Sequence, residues 1–256
     1  MIQSVHKAMQ ILSVIANAHN EPVTLGEIAR QTGFPGPTCS HILDTLCTDG
    51  YAKRAPSRGY LLGPALYCLT RFGGYEADFV ALCHPVMRWM ERNSSATVIL
   101  SVIEGDQKYN ISTLDTEQKL FRRRIQIRTD DIYRTAAGRV LLAHLDDDEI
   151  YAIYQKYGPP LPDHWPEVTD YESLRVALAQ IREQKIVPSL GKTWTGFPLY
   201  GYASPLMRSG RCVGAIGLAY RLDTVNAQID AKTEASLQRI LLRGIKEIER
   251  RLSYEE

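Results

Sequence analysis

No stretch of this chain strings together the roughly 18 apolar residues that a bilayer-crossing helix requires. Its first residues, MIQSVHKAMQ, lack the apolar core of a signal peptide. Both absences set the expectation of a cytoplasmic protein with no membrane partner. Cysteine is scarce. Cys39, Cys47, Cys68, Cys83 and Cys212 form no C-x-x-C pair, which argues against a zinc ribbon and for reduced, mostly buried thiols. Excess charge is lacking too: 30 basic and 29 acidic residues leave a net +1. A protein that binds polyanions over its whole surface is thereby excluded, while a local DNA site is not.

Catalytic signatures are missing as well. There is no H-E-x-x-H or Cys/His zinc spacing, no G-x-S-x-G, no P-loop and no G-x-G-x-x-G. His84, His144 and His164 stand singly. The run Asp146-Asp147-Asp148-Glu149 suits a helix start, where carboxylates meet the positive end of the helix dipole. The expectation is a protein that is not an enzyme and holds no metal or cofactor.

What is present begins with Thr24–Gly50. Thr24 and Glu27 have the spacing of a capping box, and Leu25, Ile28 and Ala29 give the helix they open one apolar face. Gly33 and Pro35 break it. A second helix starts near Pro37, where the missing N–H costs nothing, buries Ile42, Leu43 and Leu46, and stops at Gly50. This is a helix-turn-helix pattern. An amphipathic helix precedes it, with Val5, Ala8, Met9, Leu12, Ile15 and Ala16 at helical spacing. After it, Tyr51–Arg54, a Pro56–Gly59 turn and Tyr60–Leu62 read as a β-hairpin. Helix, helix-turn-helix and hairpin in that order make a winged helix-turn-helix, a DNA-binding form.

Beyond residue 75 helices alternate with strands. Helices are expected near 65–73, 76–93, 135–145, 146–157, 171–184 and 228–252, and strands over 96–103, 107–114, 121–128, 206–207 and 212–220. This mixture indicates an α+β domain on an antiparallel sheet.

The segments QSVHKAMQIL, LGEIARQTGFP, TLCTDGYAKR and GYLLGPAL resemble the isocitrate-lyase-regulator (IclR) family of bacterial transcription factors. RTAAGRVLLAHLDDDEI is similar to that family's H-A-T-A-x-G-K-A-L-L-A segment, and SLRVALAQIREQKI and YASPLMRSGRCVGAIGLAY follow in the family's order. The resemblance implies a winged helix-turn-helix over residues 1–64, a linker helix over 65–75 and a GAF/PAS-like effector-binding domain over 76–256. It also implies a homodimer or tetramer that binds a double-stranded operator under the control of a small metabolite.

A winged helix reads DNA with the start of its second helix, here Pro37, Thr38, Cys39, Ser40 and His41, and with its wing, here Lys53, Arg54 and Arg58. The family usually carries a Lys where this chain has Gly36 and an Arg where it has His41. Residues 1–75 hold six bases and four acids, only +2. Weak phosphate neutralisation by one copy would have to be doubled by pairing. The alternative is a sensor or assembly protein of the same fold whose DNA binding is weak or lost.

For the effector, the resemblance points to the helix start at Ala136, Ala137 and Gly138, whose backbone N–H groups suit a carboxylate. Tyr133 and Arg134 precede it. A closing loop contributes Ser189, Tyr200, Gly201 and Tyr202, and with Trp194 and Phe197 it makes an aromatic cluster. That cluster suggests an aromatic organic acid on one reading and a lid packed on the sheet on the other. The basic run Phe121–Arg124 with Arg128 is either a solvated edge strand or a contact for an anionic effector or a partner subunit.

Overall fold

A computed structural model describes residues 2–18, 20–70, 77–115, 128–129, 132–192, 198–222, 224 and 227–253 of the chain. These fall into two compact units, residues 2–77 and 78–253.

The first unit runs α1 (Gln3–Ala16), α2 (Leu25–Thr32), α3 (Gly36–Thr48), β1 (Ala52–Arg54), β2 (Tyr60–Leu62) and α4 (Pro64–Thr70). The capping box forms: the Glu27 N–H donates to Thr24 Oγ1 at 3.3 Å, and the Thr24 N–H donates to Glu27 Oε2 at 2.9 Å. Gly33 ends α2 in the left-handed conformation, φ +73°, which a residue with a Cβ adopts only at a cost. Ile11, Leu12, Ile15, Ile28, Cys39, Leu43 and Leu46 close the core between the three helices. Ile42 is only half-buried, because the 3.6-residue period puts Cys39, Leu43 and Leu46 inward instead. The hairpin pairs Ala52 with Leu62 and Arg54 with Tyr60, and an isolated bridge from Val23 to Tyr60 ties it to the segment before α2. Gly63 lies so close to Gly50 that an added Cβ would sit 2.0 Å from the Gly50 carbonyl oxygen.

The second unit opens with α5 (Ala77–Ser94). It continues through β3 (Thr97–Glu104), β4 (Gln107–Leu114), β5 (Arg128–Thr129), α6 (Ala136–Ala143), α7 (Asp147–Tyr157) and α8 (Tyr171–Glu183). β6 (Val187–Lys192), β7 (Pro198–Arg208), β8 (Arg211–Arg221) and α9 (Ala231–Leu252) complete it. The strands form one antiparallel sheet in the order β5-β4-β3-β8-β7-β6. Alternation along the strands sends Val98, Leu100, Val102, Tyr202, Leu206, Ile216 and Leu218 to one face, under α5 and α9. Val187, Ala203 and Ala215 go to the other, under α6, α7 and α8. This side of the sheet is floored by small residues; a Cβ at Gly217 would meet the Ala137 Cβ at 3.8 Å, an ordinary packing contact.

One expectation changes. Residues 187–192 and 198–205, read as a closing loop, are paired strands, with Val187 opposite Ala203 and Ser189 opposite Gly201. Pro188 sits on the edge strand of the sheet, where a missing N–H is tolerated. Pro85 lies inside α5 without ending it. The basic run 121–124 and the aromatic residues Trp194 and Phe197 lie outside the described residues, and of the expected strand over 121–128 only Arg128 is described, as the start of β5. No described helix is long and apolar enough to cross a membrane.

Candidate functional site

In the first unit the outer face of α3 carries exposed Pro37, His41, Asp44 and Thr45, with Thr38 and Ser40 half-buried beside them. Cys39 does not belong to this face. It is fully buried, with its thiol 3.9 Å from Thr32 Oγ1 and from the Phe34 carbonyl, so it is a core residue that no DNA could touch. The wing meets the helix through one ion pair: Arg54 Nη2 lies 2.8 Å from Asp44 Oδ1, and the Arg54 guanidinium also stacks 5.3 Å from the centre of the Tyr60 ring. This pair is exposed, so its contribution to stability is small; it shows the wing and the outer face of α3 to be neighbours. Lys53 and Arg58 are exposed and have no partner among the described residues. Arg58 occupies the hairpin turn with φ +77°, an uncommon conformation for a residue with a side chain. The resulting patch joins two unpaired cations, one paired arginine and a helix face rich in hydroxyl and imidazole groups. It can hydrogen-bond base edges and neutralise phosphates, chemistry that needs no metal. Lys7, on α1, lies 5.4 Å from the centre of the Phe34 ring in the α2–α3 turn.

In the second unit α6 starts as a closed, well-packed turn. Thr135 Oγ1 accepts from the Gly138 N–H at 3.1 Å, and Ser189 Oγ, reaching from β6, accepts from the Ala136 N–H at 3.3 Å. A Cβ at Gly138 would lie 2.0 Å from the Ile132 carbonyl oxygen. Two of the N–H groups expected to meet a carboxylate are therefore already engaged, and Ala136 and Ala137 are buried. Tyr133 is buried too, and its hydroxyl donates to the Gly158 carbonyl at 3.1 Å. Its own carbonyl accepts from Arg139 Nε at 2.8 Å, and the Arg139 guanidinium stacks 4.4 Å from the Trp165 ring centre. These contacts pin the segment after α7. Arg134 is exposed.

The strand period separates the remaining expected residues. Ser189 and Gly201 face α6, but Tyr202 points to the opposite side of the sheet, where its hydroxyl lies 3.1 Å from Glu234 Oε1 of α9. Burial and the neighbouring carboxylate both push the Tyr202 phenol pKa upward. Tyr200 packs on that same far face. Neither tyrosine can share a pocket with Ala136.

The α6 side of the sheet holds a charged residue that the sequence reading passed over. Lys108, on β4, is buried, and its Nζ donates to Asn110 Oδ1 at 2.9 Å; the Ser101 hydroxyl donates to the same oxygen at 2.9 Å. Its cross-strand neighbour Ile103 packs on the α6–α8 core. Burial, and then the positive charge of Arg134, lower the Lys108 pKa to about 8. In the sequence Lys108 is one lysine in an alternating strand. Arg134, expected at this site, is thus coupled to it.

A cavity of about 300 Å³ opens between the end of α1 and β2, lined by Ile15, Ala16, Asn20, Leu61 and Leu62; no ionisable group lines it, and it belongs to neither patch. Among the described residues no cluster of three or more His, Cys, Asp or Glu side chains is placed to hold a metal ion. All five cysteines are free thiols: Cys39 and Cys83 are buried, Cys47 and Cys212 half-buried, Cys68 exposed. Burial pushes the Cys83 thiol up to about 12, which makes it inert at neutral pH.

Comparison with known proteins agrees with this layout. Residues 4–56 match the IclR helix-turn-helix domain, and residues 75–228 match the family described as bacterial transcriptional regulator IclR C-terminal. The HTH-type transcriptional regulator TtgV of Pseudomonas putida is 27% identical over 193 residues, 74% of this chain and 71% of its own length. The acetate operon repressor of Salmonella typhimurium is 25% identical over 187 residues, covering 72% of this chain and 67% of its own. These relatives are transcriptional regulators, not enzymes. Two solved structures share the fold. An IclR transcriptional regulator from Alicyclobacillus acidocaldarius has a TM-score of 0.71 at 20% identity, over 98% of this chain and 99% of that one. An IclR homolog from Microbacterium hydrocarbonoxydans, complexed with 4-hydroxybenzoate, has a TM-score of 0.71 at 21% identity over the same shares, 98% and 99%.

Proposed function

The chain belongs to the IclR family of bacterial transcriptional regulators, and on that premise we propose that two copies grip one operator through α3 and the wing. A small organic acid bound on the α6 side of the sheet sets the strength of that grip. The observation that carries the DNA-binding part is the exposed outer face of α3 beside exposed Lys53, Arg54 and Arg58 of the wing, with Arg54 reaching Asp44 of that face at 2.8 Å. His41 reads a base edge, with Thr38 and Ser40 donating from the half-buried flank and Pro37 fixing the entry of the helix. Lys53 and Arg58 take phosphates, and Arg54 does so once it leaves Asp44.

Pairing is supported by an apolar stripe. Ile2, Val5 and Met9 are 71%, 54% and 57% exposed along one side of α1, and on α4 Tyr67 and Leu69 are 70% and 65% exposed. Ile2, Val5 and Met9 recur at helical spacing on one side of α1, an exposed apolar stripe that a second copy would cover. The reading puts the protein in the cytoplasm, where the operator is. For the effector, the 4-hydroxybenzoate bound by the Microbacterium homolog supports a small aromatic acid. Ser189 and Gly201 face α6 beside Ala136, Ala137 and Gly138, and that side of the sheet is where we place the acid, with Arg134 at its exposed rim.

The test is a labelled duplex from the region upstream of the gene, titrated with protein at several salt concentrations. Binding that weakens steeply with salt is expected, because released counterions drive it. No binding at low salt would overturn the DNA-binding assignment. A melt performed with saturating aromatic acids tests the sensor half, since a ligand at 100 times its Kd stabilises by about 2.7 kcal/mol.

A further inference from the structure

We propose that Lys108 is the anchor for the carboxylate of the effector, and that the unliganded sensor carries it as an uncompensated internal charge that ligand binding neutralises. This deepens, and rests on, the reading of the second unit as an organic-acid sensor.

A buried ammonium is tolerated when a carboxylate or several good acceptors meet it. Lys108 is 4% exposed, and its one hydrogen bond among the described residues goes to a neutral amide oxygen that the Ser101 hydroxyl also uses. No described carboxylate forms an ion pair with it. The one charged group among the described residues that acts on it is Arg134, of the same sign. A buried cation thus stands on the α6 side of the sheet within the field of a second one, and an ammonium has three N–H donors of which one is accounted for. A fold stabilised for its own sake would not place them together. A monovalent organic anion would satisfy both: its carboxylate takes the free donors of Lys108, and Arg134, from the exposed rim, screens the charge that remains. The position follows from topology. Lys108 stands opposite Ile103, and Ile103 packs on the α6–α8 core, so the ammonium lies on the same side of the sheet as Ser189 and the start of α6.

The experiment compares the full-length protein with its Lys108→Met and Arg134→Gln variants at pH 7 and constant ionic strength. Acetate, pyruvate, benzoate, 4-hydroxybenzoate, inorganic phosphate and the neutral benzamide are the probes, and thermal melting with calorimetric titration is the readout. Lys108→Met removes a charge while keeping most of the side-chain volume, so the expected variant melts higher than wild type without ligand. It is also expected to lose at least about tenfold in affinity for the carboxylates that stabilise wild type, the worth of one charged hydrogen bond. Arg134→Gln, at an exposed position, keeps the fold and shows a smaller loss. Carboxylates that stabilise wild type and Lys108→Met equally would overturn the proposal. So would stabilisation by benzamide as strong as by benzoate, by phosphate alone, or by none of the probes. Operator binding by wild type, measured alongside, separates the outcomes: DNA binding without any carboxylate effect refutes this inference alone. Carboxylate binding without DNA binding refutes the operator reading and leaves the anchor standing.

Discussion

Arg58 stands in the turn of the wing with φ +77°, a conformation that costs a side-chain-bearing residue about 1–2 kcal/mol and a glycine almost nothing. Arg58→Gly therefore separates what this residue does for the fold from what it does for DNA. Removing the strain gains about 1–2 kcal/mol, and the freer unfolded chain offsets about 0.4–1 kcal/mol of it. The net is a stabilisation of roughly 0.5–1 kcal/mol, or about 2–8 °C in the melting of a unit of fewer than 100 residues. On DNA the sign reverses. Losing one phosphate contact lowers the slope of log K against log salt by about 0.9, so the affinity ratio between 50 and 200 mM salt shrinks about 3.5-fold. If two copies sit on one operator, two contacts go, the slope changes by about 1.8 and the ratio shrinks about 12-fold. Anisotropy of a labelled upstream duplex at four salt concentrations, beside a circular-dichroism melt, measures both quantities. A variant that is more stable with an unchanged slope would refute the placement of the wing on the phosphate backbone. A variant that is less stable would refute the strain.

Three further outcomes follow from the same geometry. Gly63→Ala brings a methyl group within 2.0 Å of the Gly50 carbonyl oxygen; the wing must shift, and operator affinity should fall while the melting of the second unit stays put. Met9→Glu, on the exposed stripe of α1, should leave the fold intact and shift the protein to a smaller species in sedimentation velocity, with a shallower salt slope; an unchanged sedimentation coefficient would remove α1 from the subunit contact. The Lys108 pKa is about 8 in the folded chain against an ordinary 10.5, so the unfolded chain binds more protons between those values. The penalty is therefore full below pH 8 and is relieved as pH rises towards 10.5. The only charged group among the described residues that contributes to the shift is Arg134. Stability of the unliganded second unit should rise by roughly 3 kcal/mol across that window relative to Lys108→Met, and affinity for a carboxylate should fall over the same range.

The first unit was largely legible in the sequence because its signals are local. A capping box, a left-handed glycine and a proline at a helix start each act within four residues, and the hairpin is bounded by its own turn. Cys39 was misplaced among the DNA-reading residues for a countable reason: it falls four residues before Leu43 and seven before Leu46, on the buried stripe. The second unit was harder because its site is assembled across the sheet. Reading residues 198–205 as a loop hid the period of two that sends Tyr200 and Tyr202 away from α6. Lys108 carried no signal at all. Its burial depends on a sheet register that includes a shift between Leu100 and Ser101, and on helices that follow much later in the chain. No window of sequence around β4 contains that information.

If α3 and the wing sit on DNA as proposed, Asp44 has one more consequence. Arg54 already has an anion at 2.8 Å when the protein is off DNA, so on the proposed reading docking on a phosphate exchanges one acidic partner for another, and the lost contact to Asp44 offsets part of the gain. Such an arginine adds little to the indiscriminate attraction that holds a regulator on random sequence. It contributes where the fit of α3 is good enough to pull the aspartate aside. On that reading, a weakly basic reading head with an internal competitor for its arginine would slide loosely and stop selectively, and the scarcity of positive charge on this helix would serve the search for the operator.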